Sequence, residues 1–194
     1  MSIKITTLVE NSVYGKGLQG EHGLSLLVDT GEHRLLFDTG ASDLFIRNAR
    51  ILGIDLKEVD FLVLSHGHRD HTGGLHHFLA VNDKAQVVCK RELFQPKFKD
   101  ERENGVMQPD ALNSTRFRFV DEVTELCRGV FVFPQLPVTD EEDTHFEHFF
   151  TWAEGRKQAD TFTDELALVL KQGAEVSVLS ACSHRGITNI IRAV

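Results

Sequence analysis

The sequence predicts an α/β or α+β domain in which helices lie outside a sheet core. Apolar runs of strand length alternate with segments of helical spacing, and the run "VDFLVLS" is apolar enough for a strand covered on both faces. Hydrophobic residues make up 41% and charged residues 26% of the chain, as in soluble globular proteins. A length of 194 residues is enough to bury a core without disulfide bridges, so we expect residues 1–194 to form a single domain.

Charge and cysteine usage exclude several classes of protein. The formal net charge of −8 argues against binding to nucleic acid or to an anionic membrane surface. Cys89, Cys127 and Cys182 are odd in number and form no C-x-x-C pair, so neither a disulfide framework nor a thiolate zinc site is encoded. The N-terminus has no secretory signal, and no stretch approaches the roughly 18 apolar residues that cross a bilayer. These features predict a cytoplasmic protein with no membrane or nucleic-acid partner.

Strands and one helix are predicted before residue 60. "SIKITTLVE" alternates apolar and polar residues as a strand does. Leu24–Val28 and Arg34–Phe37 are apolar runs joined by a turn signal, which predicts a hairpin. "SDLFIRNARILGI" has helical spacing, with Ser42 or Asp43 as the N-cap and Gly53 at the end of the helix.

The rest of the chain continues the alternation. "LHHFLA" predicts a short helix, and the charged, proline-interrupted segment 90–110 predicts a loop or lid. We expect substrate specificity to depend on loops at 94–115 and 139–160. The remaining apolar runs predict strands: "AQVVC", "GVFVFPQLP", "ELALVL" and "EVSVLS". The last segment, "CSHRGITNIIRAV", predicts a loop that turns into a helix.

The segment "SHGHRDHTGG" places four residues of metal-ligand type within six positions, directly after a buried strand. Imidazole and carboxylate together suit zinc, iron and manganese. His66 and His68 are two residues apart and can face one ion, whereas Asp70 and His71 fall on the next bend and can face a second. The alternative is a histidine-rich solvated loop, which does not account for this density.

Glycines around the motif are expected to allow the turn. Gly67, Gly73 and Gly74 lack a Cβ, so the backbone there has the conformational freedom that such a bend requires.

His-x-His-x-Asp-His after an apolar strand resembles the metal-binding signature of the metallo-β-lactamase superfamily. "LLFDTG" matches the strand-end aspartate that precedes this signature, and "EHGLSLLV", "VLSHGHRDHTGGL" and "CSHRGITNII" follow the expected order. The chain is most similar to the branch that contains dihydropterin-aminobenzene-phosphate synthase. This resemblance implies an αββα sandwich with the metals at one sheet edge.

The resemblance also implies up to two divalent ions, zinc first, with manganese or iron as alternatives. Asp38 would orient a ligand or its loop, or else be a simple turn aspartate. His184 would be a ligand from the second half of the chain, or else a loop histidine ahead of the final helix. The metal ligands implied by the resemblance are His66, His68, Asp70, His71 and His184.

Two ligands usual in the superfamily have no evident counterpart. The branch continues past its "CSHRG"-like motif through another strand to a last histidine, so we expect this chain, which ends at Val194, to lack that strand and ligand loop. Another chain would then complete the site in a homo-oligomer, or the second ion would be held weakly. Cys182, Asp164 and Glu165 are candidates for the bridging ligand; the alternatives are a small buried thiol and ordinary strand-start charges.

Other histidines have less specific surroundings. His22 either lines the cleft or is an exposed loop residue. His76 and His77 are expected to be structural residues on the helix after the motif. His145 and His148 are expected in a solvated acidic loop rather than at a substrate.

The function predicted is that of a metal-dependent hydrolase or related transferase. Metal-activated water would attack an ester or phosphoryl group of a small molecule, with Asp70 as ligand and proton acceptor. In a synthase-like transferase the metals would bind a pyrophosphate leaving group. A catalytically impaired metal-binding or scaffold protein is the alternative. The "DTG" copies at Asp29 and Asp38 do not make an aspartic protease, because two copies that bracket one hairpin cannot face each other across a pseudo-dyad.

Overall fold

The computed structural model describes residues 3–106, 115–153 and 155–194. These residues form two compact units. The first contains the described residues of Met1–Leu64, His68–Val88 and Met107–Arg118. The second contains those of Ser65–Gly67, Cys89–Val106 and Phe119–Val194.

Strands outnumber helices in the described residues. The strands are β1 Lys4–Val9, β2 Ser25–Asp29, β3 Arg34–Phe37, β4 Phe61–Val63, β5 Gln86–Cys89, β6 Lys97–Lys99, β7 Arg102–Glu103, β8 Phe117–Phe119, β9 Thr124–Cys127, β10 Val130–Phe133, β11 Phe149–Ala153, β12 Arg156–Ala159, β13 Ala167–Gln172 and β14 Glu175–Leu179. The α-helices are α1 Leu44–Ile51, α2 Arg69–Thr72, α3 Leu75–Val81 and α4 Ile187–Ala193, and short 3₁₀ helices span Leu56–Glu58 and Arg91–Phe94.

The first unit is built on a mixed sheet of order β1-β2-β3-β4-β5-β8. β1, β2 and β3 pair antiparallel, and the hairpin predicted for β2 and β3 is confirmed. β4 pairs parallel with both β3 and β5, and its residues Leu62 and Val63 are fully buried. A continuous apolar run suits such a central parallel strand because both of its faces are covered. The end of β4 leads into the histidine motif.

The predicted helix over 42–54 is confirmed as α1. Its inward face buries Leu44 and Phe45, and Asp43 is its N-cap residue without a capping side-chain hydrogen bond. Ser42 Oγ instead accepts the Leu44 N–H at 3.1 Å. After the helix, Gly53 takes a φ of +69°, a conformation that favours glycine at helix ends.

The second unit contains two four-stranded sheets, of order β14-β13-β10-β9 and β12-β11-β6-β7. The strands predicted from "GVFVF", "ELALVL" and "EVSVLS" are confirmed as β10, β13 and β14. Leu168 of β13 is fully buried, in keeping with the apolar run that predicted this strand.

The prediction of a loop or lid over 90–110 is wrong for its first part. Arg91–Phe94 forms a 3₁₀ helix and β6 and β7 follow, whereas residues 107–110 lie outside the described residues. Lys97 of β6 is only 1% exposed because its ammonium pairs with buried carboxylates, a tertiary arrangement that a charged local sequence hides.

The specificity loops expected at 94–115 and 139–160 are likewise partly strand. β6 and β7 fall in the first, whose residues 107–114 lie outside the described residues, and β11 and β12 fall in the second. Throughout the described ranges, no helix has the length and apolar character needed to cross a membrane.

Candidate metal centre

His68, Asp70 and His71 lie in the first unit, at the one-turn helix α2. His68 precedes the helix in an extended conformation, and its carbonyl accepts the His71 N–H at 3.0 Å and the Thr72 N–H at 3.1 Å. His68 and His71 are each 3% exposed. This turn fixes the backbone positions of the two buried histidines relative to each other.

His71 is oriented by the strand-end aspartate predicted from "LLFDTG". Asp38 Oδ2 lies 2.8 Å from His71 Nδ1, and the His71 carbonyl accepts the N–H and hydroxyl of Thr39. Asp38 is fully buried, with a φ of +60°, and its own carbonyl accepts the Ser25 hydroxyl at 2.9 Å. Carboxylate contact at Nδ1 makes Nε2 the imidazole nitrogen for coordination, as at many metal sites.

Asp70 keeps an ionised carboxylate beside His71. Its Oδ2 lies 3.4 Å from His71 Nε2 and 3.3 Å from His22 Nε2. Burial opposes ionisation, but the hydrogen bond and charge of His71 outweigh it and lower the pKa of Asp70 to about 2. The His22 side chain is 84% exposed, in keeping with the alternative of an exposed loop residue, and it contacts the predicted ligand Asp70.

His66, Cys182 and His184 lie in the second unit. His66 is fully buried, with Nδ1 2.9 Å from the Ser65 hydroxyl, and the His184 Nδ1 lies 3.0 Å from the His145 carbonyl. Because a carbonyl only accepts, Nδ1 of His184 is the donor, and the lone pair of the neutral ring is on Nε2. One ligand atom of His66 and one of His184 lie within 4.8 Å of each other.

Cys182 also lies near His66. The Cys182 thiol and a His66 ring nitrogen are within 4.8 Å, a separation that one ion could bridge. The cysteine is exposed, so the alternative of a small buried thiol is wrong.

The two acidic candidates for a bridging ligand are buried and occupied by other partners. Asp164 pairs through Oδ1 with Lys97 Nζ at 2.7 Å and accepts the Gly67 N–H through Oδ2 at 2.7 Å. Glu165 accepts the N–H groups of His184 and Arg185 at 2.9 and 2.8 Å. Its burial raises its pKa to about 7 despite those two bonds. The alternative of ordinary charged residues at the start of a strand is therefore wrong for both carboxylates. Asp164 binds the backbone of Gly67, and Glu165 binds that of His184 and Arg185.

The glycines of the motif have a different role from the one predicted. None of them has a positive φ; a Cβ on Gly67 would instead clash with the Leu93 carbonyl oxygen, and Cβ atoms on Gly73 and Gly74 would meet backbone oxygens at Ala41 and Thr39. Close backbone approach, not unusual dihedral angles, therefore requires glycine here.

The other histidines differ in their use. His76 and His77 are exposed on α3, so they are not packing residues. His145 contributes its backbone to His184, and exposed His148 pairs with Asp100 at 3.0 Å. Sequence reasoning missed Lys97 and Asp160, because nothing in their local sequence signals a buried ion pair.

The donor set fits a divalent ion. Buried imidazoles whose Nδ1 atoms are engaged by oxygen atoms can present Nε2 to an ion, and within the first unit the ionised carboxylate of Asp70 lies beside His71.

The family model for the metallo-beta-lactamase superfamily matches residues 18–164. The chain belongs to the metallo-β-lactamase superfamily.

Relatives in this superfamily include two proteins of Methanocaldococcus jannaschii. One, named 7,8-dihydropterin-6-methyl-4-(β-D-ribofuranosyl)-aminobenzene-5'-phosphate synthase, is 29% identical over 98% of this chain and 71% of its own length. The other is uncharacterised and 28% identical over 96% of this chain and 72% of its length. The resemblance predicted from the motifs is therefore confirmed.

Solved structures confirm the fold class. Tm1679, described as a metal-dependent hydrolase of the β-lactamase superfamily, is 34% identical with a TM-score of 0.86 over 98% of this chain and 70% of its own. A metallo-β-lactamase from Cronobacter sakazakii, at 15% identity, has a TM-score of 0.54 over 91% of this chain and 67% of its own, which supports the fold alone.

Proposed function

We propose that this superfamily member is a metal-dependent hydrolase, or a related transferase, acting on an ester or phosphoryl group of a small molecule. The observation that carries the proposal is that each of three buried histidines has its Nδ1 atom engaged by an oxygen atom. The distances from Nδ1 to the oxygen atom are 2.9 Å for His66, 2.8 Å for His71 and 3.0 Å for His184. Ligating imidazoles are typically held by a contact of this kind at the ring nitrogen that does not bind the metal.

The proposed ligands fall into two sets. His66, His68 and His184 would hold one ion; only Gly67 separates the first two in sequence, and His184 has a ligand atom within 4.8 Å of one on His66. Asp70 and His71 would hold a second. Zinc is the first expectation for both, since buried imidazole with carboxylate suits it, and manganese and iron stay alternatives.

A bound divalent ion supplies Lewis-acid activation of water and stabilises charge on the attacked oxygen. The residues of the chain would do the rest. Asp70, ionised at neutral pH, would accept a proton at Oδ2, and Asp38 would keep the His71 ring in position. The M. jannaschii relative is named as the synthase of a 5'-phosphate, which supports the transferase option and a phosphorylated small molecule as ligand.

The test is elemental analysis of purified wild type, His66→Ala and His76→Ala, with phosphodiesterase and esterase assays after zinc or manganese loading. His66→Ala should lose at least one equivalent of metal and any hydrolytic activity. His76→Ala is the matched control, because this histidine is exposed on α3, and it should keep both.

The outcomes separate the alternatives. Bound metal without turnover of any substrate would favour a metal-binding or scaffold protein. Full metal content in His66→Ala would overturn the ligand assignment. A homo-oligomer and a cytoplasmic location stay predictions.

A further inference from the structure

Residues Asp160–Asp164, which we call the 160–164 arch, have both ends tied to one buried lysine. Lys97 Nζ lies 2.8 Å from Asp160 Oδ2 and 2.7 Å from Asp164 Oδ1. The three side chains are 1%, 3% and 0% exposed, so the cluster is shielded from solvent. Burying one ammonium and two carboxylates costs free energy even when they are paired, and an apolar cluster could fill the same space. We therefore asked what else this buried cluster contacts.

The first contact of the arch with the candidate site is at Gly67. The second oxygen of Asp164, Oδ2, accepts the Gly67 N–H at 2.7 Å. Gly67 is the residue between the proposed ligands His66 and His68. One carboxylate therefore joins the Lys97 ammonium to the backbone that carries these two ligands.

The second contact is at the middle of the arch. The Phe162 ring stacks on the His184 ring at 3.8 Å between centroids and 9° between planes, and Phe149 meets the same imidazole edge-on at 4.9 Å. Phe162 is fully buried. The imidazole of His184 is thus held on its face by the arch, as well as through its Nδ1 bond to the His145 carbonyl.

The arch keeps Phe162 in a backbone conformation that bulky residues rarely adopt. Its φ is +52°, in the left-handed region. The Phe162 N–H donates to Asp160 Oδ1 at 2.8 Å, and its carbonyl accepts the Glu165 N–H at 3.0 Å. Strain of this kind persists where surrounding contacts over-determine it, and it clusters at functional sites.

We infer that Lys97 is a positioning residue for the metal ligands, acting through the 160–164 arch on the Gly67 backbone and on the His184 ring. Lys97 fixes Asp160 and Asp164, which fix Phe162 and Gly67, and its ammonium also lies 5.4 Å from the centre of the Phe162 ring. The inference rests on the proposed metal site and adds a determinant of its affinity.

The experiment measures Zn²⁺ binding by the metal-depleted full chain in competition with a chromophoric chelator. Lys97→Met keeps the length of the side chain and removes the ammonium. Because loss of an outer partner of a metal ligand typically costs about 10- to 100-fold in metal affinity, the dissociation constant should rise by that factor. The stoichiometry should stay at the wild-type value, since no ligand is removed.

Two controls separate positioning from general destabilisation. Lys157→Met removes another lysine of the same unit, which bonds the Asp100 carbonyl and Glu101, and should bind zinc like wild type. Val132→Ala opens a cavity in buried β10, outside the arch, and should lower thermal stability while keeping zinc affinity.

Further variants keep the test decisive if Lys97→Met does not fold. Lys97→Met/Asp160→Asn leaves one carboxylate in place of two carboxylates and one ammonium, so the net charge of the cluster is unchanged. Asp164→Asn leaves Lys97 paired with Asp160, but its single oxygen cannot replace both carboxylate oxygens. Both variants should bind zinc more weakly with unchanged stoichiometry.

Wild-type affinity in the folded variants would overturn the positioning role alone. If wild-type protein bound neither zinc, manganese nor iron, the proposed function would fail, and this inference with it.

Discussion

The carboxylate of Asp38 and the imidazole of His71 form a buried pair, Oδ2 to Nδ1 at 2.8 Å, across two sheet-edge loops of the first unit. Asp38 follows β3 directly, and its N–H donates to the Val63 carbonyl of the adjacent parallel strand β4 at 2.9 Å. The sheet therefore fixes the backbone of Asp38, and Asp38 fixes the ring of His71.

Asp38→Asn should weaken zinc binding while preserving the fold. Asparagine tolerates the left-handed φ of +60° and fills the same volume, but it has no charge with which to polarise the imidazole. We expect the zinc dissociation constant to rise about 10-fold, the lower limit for an outer-partner mutation, in a chelator competition.

Asp121→Asn is the control for Asp38→Asn, because Asp121 is exposed in the second unit. Its affinity should equal that of wild type. An unchanged dissociation constant in Asp38→Asn would mean that the carboxylate of Asp38 does not tune His71.

Asp70→Asn should separate chemistry from folding. The carboxylate of Asp70 can accept a proton, whereas the amide that replaces it cannot do so at neutral pH. Turnover of any substrate found should fall by about two orders of magnitude, the usual weight of a general base, while circular dichroism and the melting temperature stay near wild type.

Two other variants serve as controls for Asp70→Asn. His22→Ala removes the exposed partner 3.3 Å from Asp70 and should have a much smaller effect on turnover. Asp83→Asn, at an exposed position, should have none. Wild-type turnover in Asp70→Asn would exclude the carboxylate from the reaction.

Gly67→Ala should disturb the ligand loop through volume alone. The added methyl group would clash with the Leu93 carbonyl and press on Asp164 Oδ2 at 3.1 Å. Overpacking of this kind lowers the free energy of unfolding by about 1–3 kcal/mol, which urea unfolding would measure. Zinc affinity should fall as well, because the displaced backbone carries the proposed ligands.

Gly31→Ala is the matched control for Gly67→Ala. Nothing lies within 4 Å of a Cβ at Gly31, but its φ of +84° strains an alanine, so stability should fall without a change in zinc affinity. Equal zinc affinity in the two alanine variants would show that the Gly67 backbone tolerates displacement.

Local sequence predicted the elements whose residues pack according to their own pattern. The hairpin of β2 and β3, helix α1 and the buried strand β4 follow from apolar periodicity and turn residues within each segment. The histidine motif was equally visible, because residues 66–71 are contiguous and their chemistry depends on spacing in the chain.

The parts that escaped prediction depend on distant partners. Lys97 lies in a segment whose charge predicts exposure to solvent, and its burial depends on pairing with Asp160 and Asp164, more than sixty positions later. The positive φ of Phe162 is accompanied by local hydrogen bonds to Asp160 and Glu165, but the His184 ring that stacks on Phe162 comes from a distant part of the chain. No periodicity encodes such pairings.

The Lys97 cluster should also set the response of stability to alkaline pH. Burial alone would lower the pKa of Lys97, but the charges of Asp164 and Asp160 outweigh it and raise the pKa above the ordinary 10.5. A group whose folded pKa lies above its unfolded value stabilises the fold fully below the unfolded pKa and loses that contribution as pH rises through the folded pKa. Losing one partner of a buried pair costs about 3 kcal/mol or more, so Lys97→Met should be less stable by that amount at neutral pH.

Urea unfolding of wild type and Lys97→Met at a series of alkaline pH values checks this sign. The difference in unfolding free energy should be constant between about pH 8 and pH 10, and it should shrink above about pH 10.5, where the wild-type ammonium begins to lose its advantage. Lys157→Met is the comparison, because Lys157 has a side chain 26% exposed and pairs with an almost fully exposed glutamate, so its difference should be small at every pH. A difference for Lys97→Met that grew with rising pH would mean that the buried ammonium is not what stabilises the arch.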